Sequence, residues 1–170
     1  MKIQKIVDIC KKSGQLYITE AENAQWIGDG QAFYPIYDLP KLSIEDICVI
    51  YAIPEDKQDK MILNEKTVTE LGGVSLSGLG GEEQAAEVIK IAIIYAGASY
   101  VILKCGEEIS FVKRVYLTPF EEDVQLWKRK GNGFEYFVVT AGMFVTGIIL
   151  PEAGVKANIA ADLKELAEKL

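Results

Sequence analysis

The sequence predicts an α+β protein with a largely antiparallel sheet and about four helices, and three observations predict it. Short runs rich in β-branched and aromatic residues recur between Gly, Asn and Asp turn signals, most densely after residue 97. Stretches with apolar residues at helical spacing stand at both ends of the chain and between the strand groups. No run of alternating strands and helices suggests a parallel, doubly wound sheet.

In chain order, residues 2–12 place Ile3, Ile6, Val7 and Cys10 on one helical face, with Lys2, Lys5, Lys11 and Lys12 on the remaining surface. Gly14 follows where a C-terminal cap belongs. Residues 16–20, 24–27 and 31–36 read as three strands, with Glu22-Asn23 as the first turn between them. The second turn lies in "WIGDGQAFYP". A phosphate loop would lead into a helix whose amides converge on the anion, but aromatic residues and Pro35 follow here. A single Asp is too little for a cation site. Asp29-Gly30 is therefore expected to be a type I′ hairpin turn, with positive φ at both central residues, that binds nothing.

Ser43 with Asp46 spells a capping box that opens a helix from residue 44 to about 52, and Pro54 ends it. "PEDKQDK" reads as a solvated charged loop, and residues 61–76 as two weak strands around Gly72-Gly73. Glu82 or Glu83 then opens the most apolar segment. It reads as a helix to about residue 96, with Ala86, Ile89, Ile93 and Ala96 on one face, and is expected to be a buried centre. Beyond Gly97 the stretches 99–105, 108–117, 123–130, 134–141 and 143–151 read as strands, the last three in a meander. A closing helix carries the stripe Ile159, Leu163, Leu166 and Leu170. The Gly-rich stretch near residue 78 separates an N-terminal α+β lobe, 1–77, from a C-terminal one, 78–170, packed as one unit. The order helix, Gly, strand, turn, strand, Pro occurs at 2–35 and again at 83–119, which suggests two related helix-then-strands lobes.

The 170 residues are enough for a real core, and a net charge of −7 opposes indiscriminate nucleic-acid binding. The chain has no histidine, which removes Ser-His and Cys-His nucleophile pairs and the commonest zinc ligand. Cys10, Cys48 and Cys105 are far apart and each lies in an apolar stretch, as reduced, buried thiols do. The start of the chain lacks a signal-peptide core. The longest uncharged run, 136–151, is too short for a membrane-spanning helix and reads as two strands. A cytoplasmic location without a membrane partner is expected.

Four constellations invite a chemical reading. "GLGGEEQ", 78–84, has the order of a dinucleotide fingerprint, but Glu83 stands where the third glycine belongs and two carboxylates would repel a pyrophosphate. A linker before a helix start is the simpler account. The acidic groups Glu82-Glu83, Glu107-Glu108 and Glu121-Glu122-Asp123 fall at turns, where carboxylates are solvated. Basic residues gather at Lys11-Lys12, Lys113-Arg114 and Lys128-Arg129-Lys130, the last beside Trp127. Adjacent strands could assemble the second and third groups into a phosphate-contacting face with Trp127 stacking, or the charges could decorate a solvated sheet. Trp26, Phe33, Tyr34 and Tyr37 could form a partner-binding patch or the core of a hairpin.

Residues 115–151 resemble the last strands of a DNA sliding-clamp lobe. Tyr116-Leu117 precedes a loop, 124–130 is a strand before a polar turn, and 148–151 is an apolar strand ending in Pro. That resemblance implies a basic helix, bearing Lys2, Lys5, Lys11 and Lys12, that faces DNA inside an acidic particle. At 170 residues the chain is about half of a clamp subunit, so a ring would need more copies. The "WIGDG…YP" segment is similar to small uncharacterised proteins of bacterial mobile elements and prophages, which brings no activity with it. The leading expectation is a non-catalytic binding or assembly protein that acts through a protein partner or self-association. A sliding-clamp-like, DNA-associated factor with weak nucleic-acid binding comes second. Third is a His-independent enzyme using carboxylates, Lys, Tyr or a thiol such as Cys48. No catalytic residue, cofactor or metal is expected.

Overall fold

A computed structural model of the chain describes residues 2–37, 39–66, 71–120 and 123–169, without the side chains of 163, 164 and 166–169. Four helices and ten strands lie among the described residues. They run α1 (Ile3–Ser13), β1 (Gln15–Ala21), β2 (Ala24–Gly28), β3 (Ala32–Ile36), α2 (Ile44–Ile50), α3 (Glu55–Gln58), β4 (Ile62–Glu65), β5 (Gln84–Tyr95), β6 (Ala98–Cys105), β7 (Glu108–Lys113), β8 (Gln125–Lys130), β9 (Glu135–Ala141), β10 (Phe144–Ile149) and α4 (Val155–Lys169). The strands form one sheet in the order β4-β1-β2-β3-β10-β9-β8-β5-β6-β7. Only the β1–β4 pair is parallel among these neighbours. The α+β class with a mostly antiparallel sheet is thus the one the turn-separated strand runs predict.

α1 buries Ile6, Val7, Ile9 and Cys10 and ends at Gly14, whose φ of 74° provides the left-handed cap. It packs on β1 and β2, while the Lys2 amide at its start bonds the Pro119 carbonyl, soon after the 3₁₀ turn Arg114–Leu117 that follows β7. Segments from near the two ends of the strand order therefore meet on one helix, which requires a strongly twisted sheet. The resulting core takes Leu16, Ile27, Tyr34, Phe137, Val139, Leu126, Leu103 and Val112 from seven strands, with Ile47 and Cys48 from α2. On the opposite face, Trp26, Phe33, Tyr136 and Val138 are covered by Val74 and Leu76 of the segment after β4. α4 brings Val155 and Ile159 onto Tyr100, Ile102 and Phe111 of β6 and β7. Among the described residues no helix is long and apolar enough to cross a membrane.

Several expectations are corrected. Residues 84–95 form the strand β5 and not a helix, and they are not a buried centre: Ile89 and Ile93 are half-buried and their neighbours exposed. The physical reason lies in Val88, Ile89, Ile91, Ile93 and Ile94. Five β-branched side chains within seven residues lose χ1 freedom in a helix and fit a pleated strand. The fourth helix is instead the single turn α3, inside the stretch read as a charged loop. One strand, β4, replaces the two expected in 61–76, though residues 67–70 lie outside the described part. The run 108–117 leaves the sheet after Lys113 in the 3₁₀ turn. In the C-terminal stripe only Ile159 has a described side chain.

The Asp29-Gly30 turn joins β2 to β3 as expected, but it is not type I′. Only Gly30 has positive φ, at 91°, and Asp29 N–H bonds Ala32 O at 3.1 Å across the loop. Among the described strand-to-strand turns, positive φ at both central residues occurs at Glu22-Asn23, between β1 and β2, and at Ala96-Gly97, between β5 and β6.

Candidate functional site

The basic residues do not assemble into one face. Lys128, 8% exposed, is held on β8 between Glu108 of the β6–β7 hairpin and Glu135 of β9, the latter at 3.2 Å. Lys113 pairs with Glu152 at 2.6 Å. On α1, Lys5 donates to Thr118 O and Lys11 to Tyr51 O, so both tie the helix to neighbouring loops. Lys2, Lys12, Arg114 and Lys130 are exposed. Trp127 is half-buried against the Trp26–Tyr136 cluster and donates its indole N–H to Thr140 Oγ1 at 3.0 Å. Of the aromatic set, Trp26, Phe33 and Tyr34 are buried in the two cores. Tyr37 alone is exposed, and its hydroxyl donates to Val145 O.

Arg129 has a structural role. Its guanidinium donates to Glu83 Oε1 at 2.7 Å and to the carbonyls of Ser75, Ser77 and Gly78. It thereby straps residues 75–78 over the Trp26–Tyr136 core. Glu83 in turn accepts the amides of Gly80 and Gly81 at 3.0–3.1 Å. Burial alone would raise the Glu83 carboxyl, but the Gly80 amide and Arg129 outweigh it and hold it at about 2. The amides that a phosphate would need in this Gly-rich loop are occupied by the chain's own carboxylate, which disposes of the fingerprint reading on physical grounds.

Beside this knot lies a cleft of about 740 Å³ where Glu82, Glu107, Glu108, Glu135, Lys128 and Lys130 converge. Convergent Glu and Lys are what a His-free enzyme would need. However, the bonds from Lys128 to Glu108 and Glu135 outweigh its burial and raise its pKa, so the amine stays protonated and is no nucleophile at neutral pH. Among the described residues no group of acidic or thiol side chains is arranged to hold a metal.

Asp29 is not a solvated turn residue. It is 3% exposed; its Oδ1 accepts the amides of Gln31 and Ala32 at 3.0 and 3.1 Å, and its Oδ2 accepts the Tyr116 hydroxyl at 3.2 Å. Tyr34 donates to the Tyr116 carbonyl at 2.8 Å. Burial, then the negative charge of Asp29, pushes the Tyr34 and Tyr116 phenols and the Cys10 thiol up, so all three remain neutral.

The largest departure from an ordinary surface is β5. Its first three residues pair with β8, as Gln84↔Lys128, Ala85↔Trp127 and Ala86↔Leu126. From Glu87 onward it pairs only with β6, on its other side, with an irregularity between Ile89 and Ile93. Residues 87–95 thus run past β8 as one arm of a hairpin, and among the described residues no strand hydrogen-bonds to their outer edge. Val88, Ile91 and Ile94 are 43, 58 and 79% exposed on this arm. Tyr95 ties its end to α4 by donating to Asp162 Oδ2 at 2.9 Å.

Comparison with protein-family models, curated proteins and solved structures finds no match to this chain. The site therefore rests on its own geometry. Reading 83–96 as a helix singles out Ile89 and Ile93 as a buried face and misses the exposed Ile91 and Ile94. The signal that finds them is the β-branched run itself, with Ile89, Ile91, Ile93 and Tyr95 at a spacing of two before the Ala96-Gly97 turn. For Asp29 no local signal exists, because its buried partner Tyr116 is 87 residues away.

Proposed function

We propose that this chain is a non-catalytic binding or assembly protein that associates through the outer edge of β5. The observation that carries the reading is the unpaired apolar edge of residues 87–95, with Val88, Ile91 and Ile94 exposed. An exposed strand edge offers a row of free N–H and C=O groups, and natural proteins cover, twist or charge such edges. Here two charged residues, Glu87 and Lys90, and one irregularity are the only such devices across residues 87–95. An added antiparallel strand satisfies the backbone and buries the Ile side chains together. A second copy is the occupant the pattern favours. A two-fold pair centred on Ile91 sets Val88 opposite Ile94 and Ile89 opposite Ile93, with Lys90 opposite Ala92 and Glu87 opposite Tyr95. The sliding-clamp-like alternative needs a continuous basic face, which the ion pairs of Lys113, Lys128 and Arg129 do not supply.

Sedimentation velocity tests the reading. Wild-type protein is expected to move from the 18.8 kDa monomer to twice that mass as concentration rises, and Ile91→Lys or Ile94→Lys to stay monomeric with unchanged circular dichroism. A wild-type chain that remains monomeric across the accessible range, like the two variants, overturns it.

A further inference from the structure

The Asp29 corner carries a second inference, independent of the β5 edge. Asp29 and Tyr116 floor a cavity of about 190 Å³ at the C-terminal end of α1, with Ile9 and Val115 as apolar walls and Lys12 among its lining residues. We propose that this cavity binds a small zwitterion of the amino-acid class, its ammonium on Asp29 and Tyr116 and its anionic group on Lys12.

The polar inventory of the floor points to an ammonium. All three hydrogen bonds to the Asp29 carboxylate come from neutral donors, and no cation pairs with it among the described residues. Oδ2 accepts only the Tyr116 hydroxyl, so it keeps an unused acceptor site. Tyr116 spends its single O–H proton on Asp29, so towards the cavity its oxygen is an acceptor only. Ser13, the last residue of α1, lies on the wall and brings the negative end of an 11-residue helix to the same place. The acceptors on Asp29 and Tyr116, with no free donor on either, are the complement of an ammonium, which has three donors and no acceptor.

Lys12 supplies the cation on the same cavity. Its ammonium is exposed and has no hydrogen-bond or ion-pair partner among the described residues, whereas Lys113 on the same cavity is engaged by Glu152. A free cation and a buried carboxylate lining one cavity match a molecule carrying both charges. The volume admits a ligand of a few heavy atoms and is below the roughly 300 Å³ at which ordinary ligand pockets begin. A divalent metal is a poorer fit, because one carboxylate and one phenol fall short of the six or more oxygens such ions take.

Titration calorimetry and thermal shift with glycine, β-alanine, methylammonium and acetate as separate probes test the proposal. A zwitterion is expected to bind and raise the melting temperature, methylammonium to bind more weakly, and acetate not at all. Lys12→Met, a surface change, is expected to weaken the zwitterion about tenfold, the worth of one charge-assisted contact, and to leave methylammonium unchanged. Tyr116→Phe weakens both and guards against Asp29→Asn failing to fold. No binding by any probe, acetate binding as tightly as the zwitterions, or Lys12→Met with unaltered affinity overturns the proposal.

Discussion

Replacing Arg129 with methionine removes the cation that ties the Gly-rich loop to the sheet, and the cost can be worked from the contacts. The side chains of Arg129 and Glu83 are 11 and 6% exposed, so neither recovers much hydration when its partner is lost. Removing one member of such a pair, and leaving the other charge buried, costs about 3–5 kcal/mol. The carbonyls of Ser75, Ser77 and Gly78 lose their donor as well. The Glu83 carboxyl reports the charge part separately: it falls from the ordinary 4.5 to about 2, through the Gly80 amide as well as Arg129. By linkage that lowering corresponds to at most on the order of 3 kcal/mol. Because the folded value is depressed, the contribution is present above about pH 4.5 and is lost as pH falls towards 2. Urea unfolding at neutral pH should show Arg129→Met destabilised by about 3–5 kcal/mol, with a flatter decline of stability below pH 4.5 than wild type. In a double-mutant cycle with Glu83→Gln, the paired variant should lose clearly less than the sum of the two. Additive losses, or an Arg129→Met midpoint within error of wild type, would refute the strap.

Other expectations follow from particular contacts. Gly28→Ala should abolish native folding or cost several kcal/mol, as judged by urea midpoints, because its Cβ would stand 1.9 Å from the Ala32 carbonyl oxygen. Ile94→Ala should change the monomer's stability by no more than about 0.5 kcal/mol, since that side chain is mostly in solvent; a loss on the core scale would restore a buried role for β5. Cys10, Cys48 and Cys105 are buried and their thiols raised by burial, so a thiol reagent should label none of them until denaturant is added. At low salt the protein should be retained on neither circular nor linear duplex DNA, because its charge is −7 and Lys113, Lys128 and Arg129 are already paired.

The sequence by itself determined those elements whose signals are local. The capping box of Ser43 and Asp46 forms as spelled, and Gly14 caps α1. The strands of the last third follow from alternating runs between turn residues, and the missing histidines and scattered cysteines had already removed whole classes of chemistry. What only the tertiary structure decided were the elements whose neighbours lie far along the chain. Residues 84–95 carry apolar spacing that suits a helix face or a strand, and pairing with β6 and β8 settles the choice. Lys128 and Arg129 look like a basic patch until Glu108, Glu135 and Glu83 arrive from other strands and loops. Asp29 reads as a turn residue and is one, yet Tyr116 and α1 bury it against a cavity. In each case the side chain is the same; burial and a distant partner set its charge, exposure and use, and neither is encoded in local spacing.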